Sequence, residues 1–325
     1  EGDVETVVDL SGNGSQYPMV LDIRNDNKIV IIYGTHDGVG HVWSILGNIQ
    51  GSIISWGVSQ EIDNITPQYV GDVKFIGTNK IIYTVNQGSS GFQSYTGTID
   101  GNVINWGSIE TIEVGSVQQT KSRMFELSND RVVVGWVKPG SGGNFHSAIG
   151  NVGEDSTTWS SIFTIPSISL SYYHSMVKID NNKVFVIFTN QSISNGGLYY
   201  SIGNIENDII TWTSAIEFDS TISGYYIIVE YLGNNLIVAI YYDSNNSEYV
   251  TAKYATISGS SLTINSEDVI HSSANVIYNF RINKIAADKI VFYYRNSGEH
   301  AYYQVIGTIS NTAISWGTHN QSTIT

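Results

Sequence analysis

The chain reads as an all-β, six-bladed β-propeller. Two regularities predict it: a six-fold spacing of small and large residues, and a six-fold Asn/Asp-rich hairpin turn. A small residue is followed nine positions later by tryptophan or an aliphatic stand-in at Gly47/Trp56, Gly97/Trp106, Gly150/Trp159, Gly203/Trp212, Ala255/Ile264 and Gly307/Trp316. The large positions are separated by 50, 53, 53, 52 and 52 residues. Such a fixed internal period belongs to propellers and arrays rather than to a one-off domain. Because it runs through nearly all 325 residues, the expectation is one domain spanning 1–325.

Each unit reads as four antiparallel strands. In the first, Met19–Ile23, Ile29–Tyr33, His41–Ile49 and Ile53–Ile62 are separated by Asn-Asp-Asn-Lys, a loop and Gln-Gly-Ser. These segments are rich in Val, Ile, Tyr and Thr, which suit a half-buried pleated surface. None sustains a 3.6-residue apolar period long enough for a helix. The first hairpin turns, Asn25–Lys28, Gly77–Lys80, Ser128–Arg131, Asp180–Lys183, Gly233–Leu236 and Ala286–Lys289, carry Asn, Asp or Gly where positive φ is demanded. Their recurring basic residue reads as a solvated turn cation. The Gly/Trp pair reads as packing between blades, since glycine marks close approach of a bulky neighbour.

Ring closure is expected through the amino terminus. Ile62, Ile112, Ile165, Phe218 and Ile270 lie six residues past the Trp-type position, but the last unit has Ser322 there. Val4–Leu10 carries the missing apolar pattern, so the reading joins this N-terminal strand to the last blade, beside Ala301–Ile309. A closed circle removes exposed sheet edges.

Composition narrows the function classes. The chain has no cysteine, which removes thiol nucleophiles and thiolate metal sites. Its 29 acidic residues against 15 basic ones give a net charge of −14, a field that repels nucleic acid. Neither a nucleic-acid partner nor membrane insertion is expected, since no apolar run reaches the ~18–20 residues of a span. No cofactor is implied. Asp243-x-Asn245-x-Ser247 lacks the glycine and closing glutamate of a calcium loop.

The loops joining second to third strands, and blade to blade, emerge on one face and vary in sequence, whereas the hairpin face is uniform. Variable loops on a repeated scaffold are where binding usually lies. Tyr17, Tyr69, Tyr172 and Tyr225 recur there at a fixed seven residues past the outer strands, with Gln119 and Ile277 at the other two positions. Tyrosine joins an apolar body to a polar tip, which suits a sugar surface. His41 and His300 both open third strands in units one and six and join the candidate ligand-binding set. A second series, Tyr33, Tyr83, Trp136, Phe188, Tyr241 and Tyr293, ends the second strands and reads as core.

Six blades invite comparison with sialidases, yet their Asp-box is not met. The nearest segment, Val152–Trp159, keeps only the final Thr-Trp, and an arginine triad is hard to assemble from Arg24, Arg123, Arg131, Arg281 and Arg295. No catalytic constellation is visible. The units Gly47–Gly57, Gly97–Gly107 and Gly307–Gly317, followed by Asn-Lys-Ile-Val-Ile-x-Tyr-like strands, resemble repeats of bacteriophage and marine-virus structural or tail-fibre proteins. At fold level the chain also resembles propeller lectins. These resemblances imply a non-catalytic, surface-displayed binding module for a glycan or cell-surface receptor, extracellular or on a virion. The alternatives are a purely structural virion or filament subunit and a glycan-processing enzyme.

Overall fold

The computed structural model describes residues 20–35, 41–63, 69–87, 90–115, 122–128, 130–138, 143–166, 170–190, 197–220, 224–243, 249–272, 277–296, 301–310 and 313–322. Six antiparallel sheets follow one another along the chain, at residues 20–63, 69–113, 123–164, 170–219, 224–271 and 277–322. In every one the strands lie in chain order, first to fourth. This is the six-bladed β-propeller architecture expected from the repeat, and no helix occurs among the described residues. In blades one, three, four and six the fourth strand is broken into two pieces that both pair with the third strand; in blades two and five it runs unbroken.

The chain divides into two compact units, residues 1–139 with 145–163 and residues 140–144 with 164–325. Blades one to three belong to the first unit and blades four to six to the second. Each unit has its own apolar core. In the first, Val30, Ile32, Leu46, Val73, Ile81, Tyr83, Val85 and Tyr95 pack where blades one and two meet. In the second, Ile228, Val238, Ile240, Phe280, Ile290, Phe292 and Val305 unite blades five and six.

The turns follow their residues. Asn27, Asp130, Asn234 and Asn235 adopt φ of 53–67°, and Gly77 takes 55°, closing first hairpins in the left-handed region. Two of the turn lysines also reach the next blade. Lys28 Nζ donates to Asn48 Oδ1 at 3.0 Å and to Gly101 O of the next blade at 3.2 Å. Lys80 Nζ donates to Asp130 Oδ1 at 2.6 Å and Val152 O at 3.0 Å, again one blade on. These two cations stitch hairpin to hairpin by meeting backbone carbonyls of the next blade's second hairpin.

The Gly/Trp pairs are direct cross-strand partners inside one blade: Gly47↔Trp56, Gly97↔Trp106, Gly150↔Trp159, Gly203↔Trp212 and Gly307↔Trp316. A Cβ on Gly97 would lie 3.0 Å from Trp106 and 2.7 Å from Ile104, so only glycine fits under the indole. The contact between blades is made by the far side of the ring. Trp106 Nε1 donates to Ser44 Oγ and Trp159 Nε1 to Ser94 Oγ, both at 3.0 Å, reaching the third strand of the preceding blade.

The first strands carry a recurring bulge. Between Val70 and Val73, Tyr225 and Ile228, and Tyr278 and Arg281, three residues advance against two on the second strand. Polar side chains tie neighbouring first strands together there. Asp22 accepts from Phe75 N–H and Asp72 from Met124 N–H, both at 2.9 Å, and Ser175 Oγ accepts from Val229 N–H at 3.1 Å. In blade six Asn320–Ser322 pairs with the third strand, Tyr302↔Ser322 to Gln304↔Asn320. Backbone hydrogen bonds make that ladder without an apolar side chain. Residues 4–10 lie outside the described residues.

Candidate functional site

Four seams lie inside the two units: blades one to two and two to three in the first, four to five and five to six in the second. Each has a polar residue one position past the last apolar residue of an outer strand, and each aims it at the next blade. These residues are Asp63, Glu113, Asp219 and His271. They stand at the end of the fourth strand, where it meets the start of the third, so they mark the loop face.

In the seam of blades two and three Glu113 is buried and saturated. Its Oε2 accepts from Trp136 Nε1 at 2.7 Å and from His146 Nδ1 at 3.0 Å, and its Oε1 from Lys138 Nζ at 2.7 Å. Burial alone would raise its pKa, but the bonds from His146, Lys138 and Trp136 outweigh it and hold the carboxyl down at about 2. Trp136 is fully buried, with Phe92 at 4.9 Å and His146 edge-on at 5.9 Å between ring centres.

The other three seams vary this plan. Between blades one and two, Tyr95 donates its hydroxyl to Asp63 and receives Gln87 Nε2 at 3.5 Å. Desolvation first, then the Asp63 hydrogen bond and charge, push the Tyr95 phenol upward. Between blades four and five, Lys253 pairs with Asp219 and lies 3.2 Å from Glu267 Oε2. Between blades five and six, Tyr294 OH lies 2.6 Å from His319 Nδ1 and 3.5 Å from His271 Nδ1. The signal for these residues was present in the sequence, one place beyond the apolar series Ile62, Ile112, Phe218 and Ile270.

The expected candidates fall as follows. Tyr69, Tyr172 and Tyr225 occupy the loop-face ends of first strands, with Tyr69↔Asn86 and Tyr225↔Tyr242 in register; of these three only the backbone is described. Tyr17 and His300 lie outside the described residues. His41 opens the third strand of blade one, with Nδ1 2.6 Å from Glu61 Oε1 and its ring 6.2 Å from Trp43. Tyr33, Tyr83, Trp136, Phe188 and Tyr241 are buried as core. Tyr293 departs from that series: it is 40% exposed, and Tyr294, 1% exposed, takes the inward position. A displacement of one residue turns a side chain to the other face of a sheet.

No group of three or more His, Asp or Glu side chains among the described residues could hold a metal ion. No described helix is long and apolar enough to cross a membrane.

No protein-family model matches the chain, and no curated relative is found. Solved structures share its architecture at low identity. The BP39L lectin of Burkholderia pseudomallei is similar over 95% of this chain and 86% of its own, with TM-score 0.67 and 9% identity. A protein from Lactobacillus plantarum matches over 92% and 83%, with TM-score 0.63 and 9% identity. AofleA from Arthrobotrys oligospora matches over 95% and 86%, with TM-score 0.60 and 9% identity. These likenesses establish the propeller fold.

Proposed function

We propose that the protein is a non-catalytic carbohydrate-binding module whose ligands seat at the blade seams on the loop face. One observation carries this reading: within each unit, the seams repeat a carboxylate or imidazole from one blade against aromatic, hydroxyl, amide or ammonium groups of the next. Rings offer flat apolar area to the C–H face of a sugar, and the polar groups offer directed hydrogen bonds to its hydroxyls. Similarity of fold to a protein named a lectin supports it by analogy, which is weaker than the site itself.

Catalysis is not part of the proposal. Glycoside hydrolysis needs one carboxyl kept protonated as a general acid. Glu113, held at about 2, is a carboxylate at neutral pH, and Asp219 is committed to Lys253. Burial raises the pKa of Asp72, yet its oxygens accept from Val73 and Met124 N–H groups. The proposed setting is an extracellular one, as a virion or fibre component or a secreted adhesin that meets a glycan or receptor, because the repeat resembles tail-fibre repeats.

An assembly role is the second reading. Val58 and Val114 are 82% and 73% exposed, and exposed apolar side chains suit subunit contacts. A glycan array against the purified protein, with product release monitored, separates the readings. Retention without cleavage supports the binding module. Cleavage identifies an enzyme, and failure to bind any glycan alongside concentration-dependent self-association favours assembly.

A further inference from the structure

Resting on the carbohydrate-binding reading, we propose that two of these four seams are ligand seats, one in each unit, and that both select a neutral sugar. The seats are the seam of blades one and two and the seam of blades four and five. They are a matched pair. Asp63 and Asp219 hold the same position past their outer strands. Their partners Tyr95 and Lys253 both lie two residues before the small residue of the repeat, Gly97 and Ala255.

What separates these seams from the other two is a buried phenol hydroxyl that has no partner. In the first seat Tyr83 OH and Gln93 Oε1 are buried without a partner; in the second, Tyr241 OH and Thr251 Oγ1 are. Gln93 and Thr251 are equivalent, each four residues before the small residue. Tyr83 sits opposite Tyr95 and Tyr241 opposite Thr251 in the ladders, so each set shares one face of its blade. Burial first, then the charges of Glu267, Asp219 and Asp243, pushes the Tyr241 phenol upward, and the ladder puts Tyr241, Thr251 and Lys253 on one face of blade five. In the remaining seams the corresponding groups are engaged: Trp136 and His146 by Glu113, and Tyr294 by the two imidazoles.

A buried polar group left unpaired is costly, so unpaired groups in both seats, Gln93 and Thr251 among them at equivalent places, point to a ligand that completes them. The phenols need acceptors, Gln93 Oε1 needs a donor, and the threonine hydroxyl takes either. Vicinal hydroxyls of a sugar both donate and accept. A carboxylate or phosphate meets the charge of Asp63 in the first seat, and in the second Asp219 and Glu267 outnumber Lys253 two to one. An acidic sugar is therefore rejected.

The test uses the full chain on immobilised galactose, mannose, fucose, N-acetylglucosamine and N-acetylneuraminic acid, with calorimetric stoichiometry for the sugar retained. Wild type retains a neutral sugar at two or more sites per chain and does not retain N-acetylneuraminic acid. Tyr83→Phe and Tyr241→Phe each remove one site, and the double variant retains the sugar about ten-fold more weakly or worse. Melting temperatures stay level or rise, since only an unmet hydroxyl is removed. If a tyrosine variant folds poorly, Thr251→Val serves for the second seat. Unchanged retention by the double variant, or preference for the acidic sugar, overturns the seat assignment while leaving the carbohydrate-binding reading intact. Wild-type retention of no sugar overturns both.

Discussion

The two units build the same blade but join neighbouring blades with different side chains. In the first unit a small third-strand residue faces a large ring of the next blade, as Ser44 faces Trp106 and Ser94 faces Trp159. In the second unit Tyr200 stands where those serines do, and the next blade carries Ile264 instead of tryptophan. Tyr200 OH then accepts from Leu262 N–H at 3.1 Å. Bulk removed from one blade is returned by its neighbour, so the volume across the seam is kept while the residues change. The next seam stops halfway: Ala252 replaces serine, Trp316 remains, and its Nε1 is buried without a partner. The lesson is that the conserved quantity is the filled gap between sheets, in line with the close packing of protein interiors.

The sharpest break of this comparison is Trp136→Ala. It empties a fully buried position and deprives Glu113 of a donor, so it should cost about 3–5 kcal/mol in chemical denaturation. Ile264→Ala, at a 40% exposed position, should cost under about 1 kcal/mol. Equal losses would mean that the seams of the two units are not differently built.

Acid provides the next largest effect. The Glu113 carboxyl is depressed from 4.5 to about 2, so its stabilisation is present above pH 4.5 and is lost as pH falls through about 2. Full protonation should remove roughly 3 kcal/mol by linkage. Glu113→Gln should flatten the stability profile over that window. A profile of unchanged slope would show that the three donors do not hold the ionised form.

Gly97→Ala should cost about 1–3 kcal/mol through overpacking against Ile104 and Trp106. At Ala255, opposite Ile264, a methyl is already accommodated. Installing tryptophan by Ile264→Trp should therefore be better tolerated with Ala255→Gly than without it, measured as a double-mutant cycle. The smallest effect is a gain: Ala252→Ser should give Trp316 Nε1 an acceptor and add about 0.5–1.5 kcal/mol. A melting temperature that does not rise would show that this seam is not the serine–tryptophan seam with its acceptor deleted.

Most of the fold was legible because backbone geometry repeats. Every Trp-type position, every Asn/Asp turn and every blade boundary could be counted from the sequence. Side-chain levels were less legible, because the loop between paired strands changes length. Gly97 pairs with Ile81, 16 residues away, while Gly203 pairs with Val184, 19 away. Counting at a fixed period therefore placed Tyr293 where the ladder places Tyr294. The seam carboxylates escaped for another reason. Asp63, Glu113 and Asp219 share a position but not a partner, so neither residue type nor spacing among the partners repeats.

The bulge in the first strands has a consequence for how the loop face varies. It divides a blade into a hairpin half, whose register is locked by the Gly/Trp ladder, and a loop half beyond the extra residue. A slip introduced by a longer or shorter loop meets a place where two-against-three pairing is already tolerated. The bulge thus acts as an expansion joint for the first strand: a slip arising where the chain enters that strand stops there, and the packed half of the blade keeps its alignment.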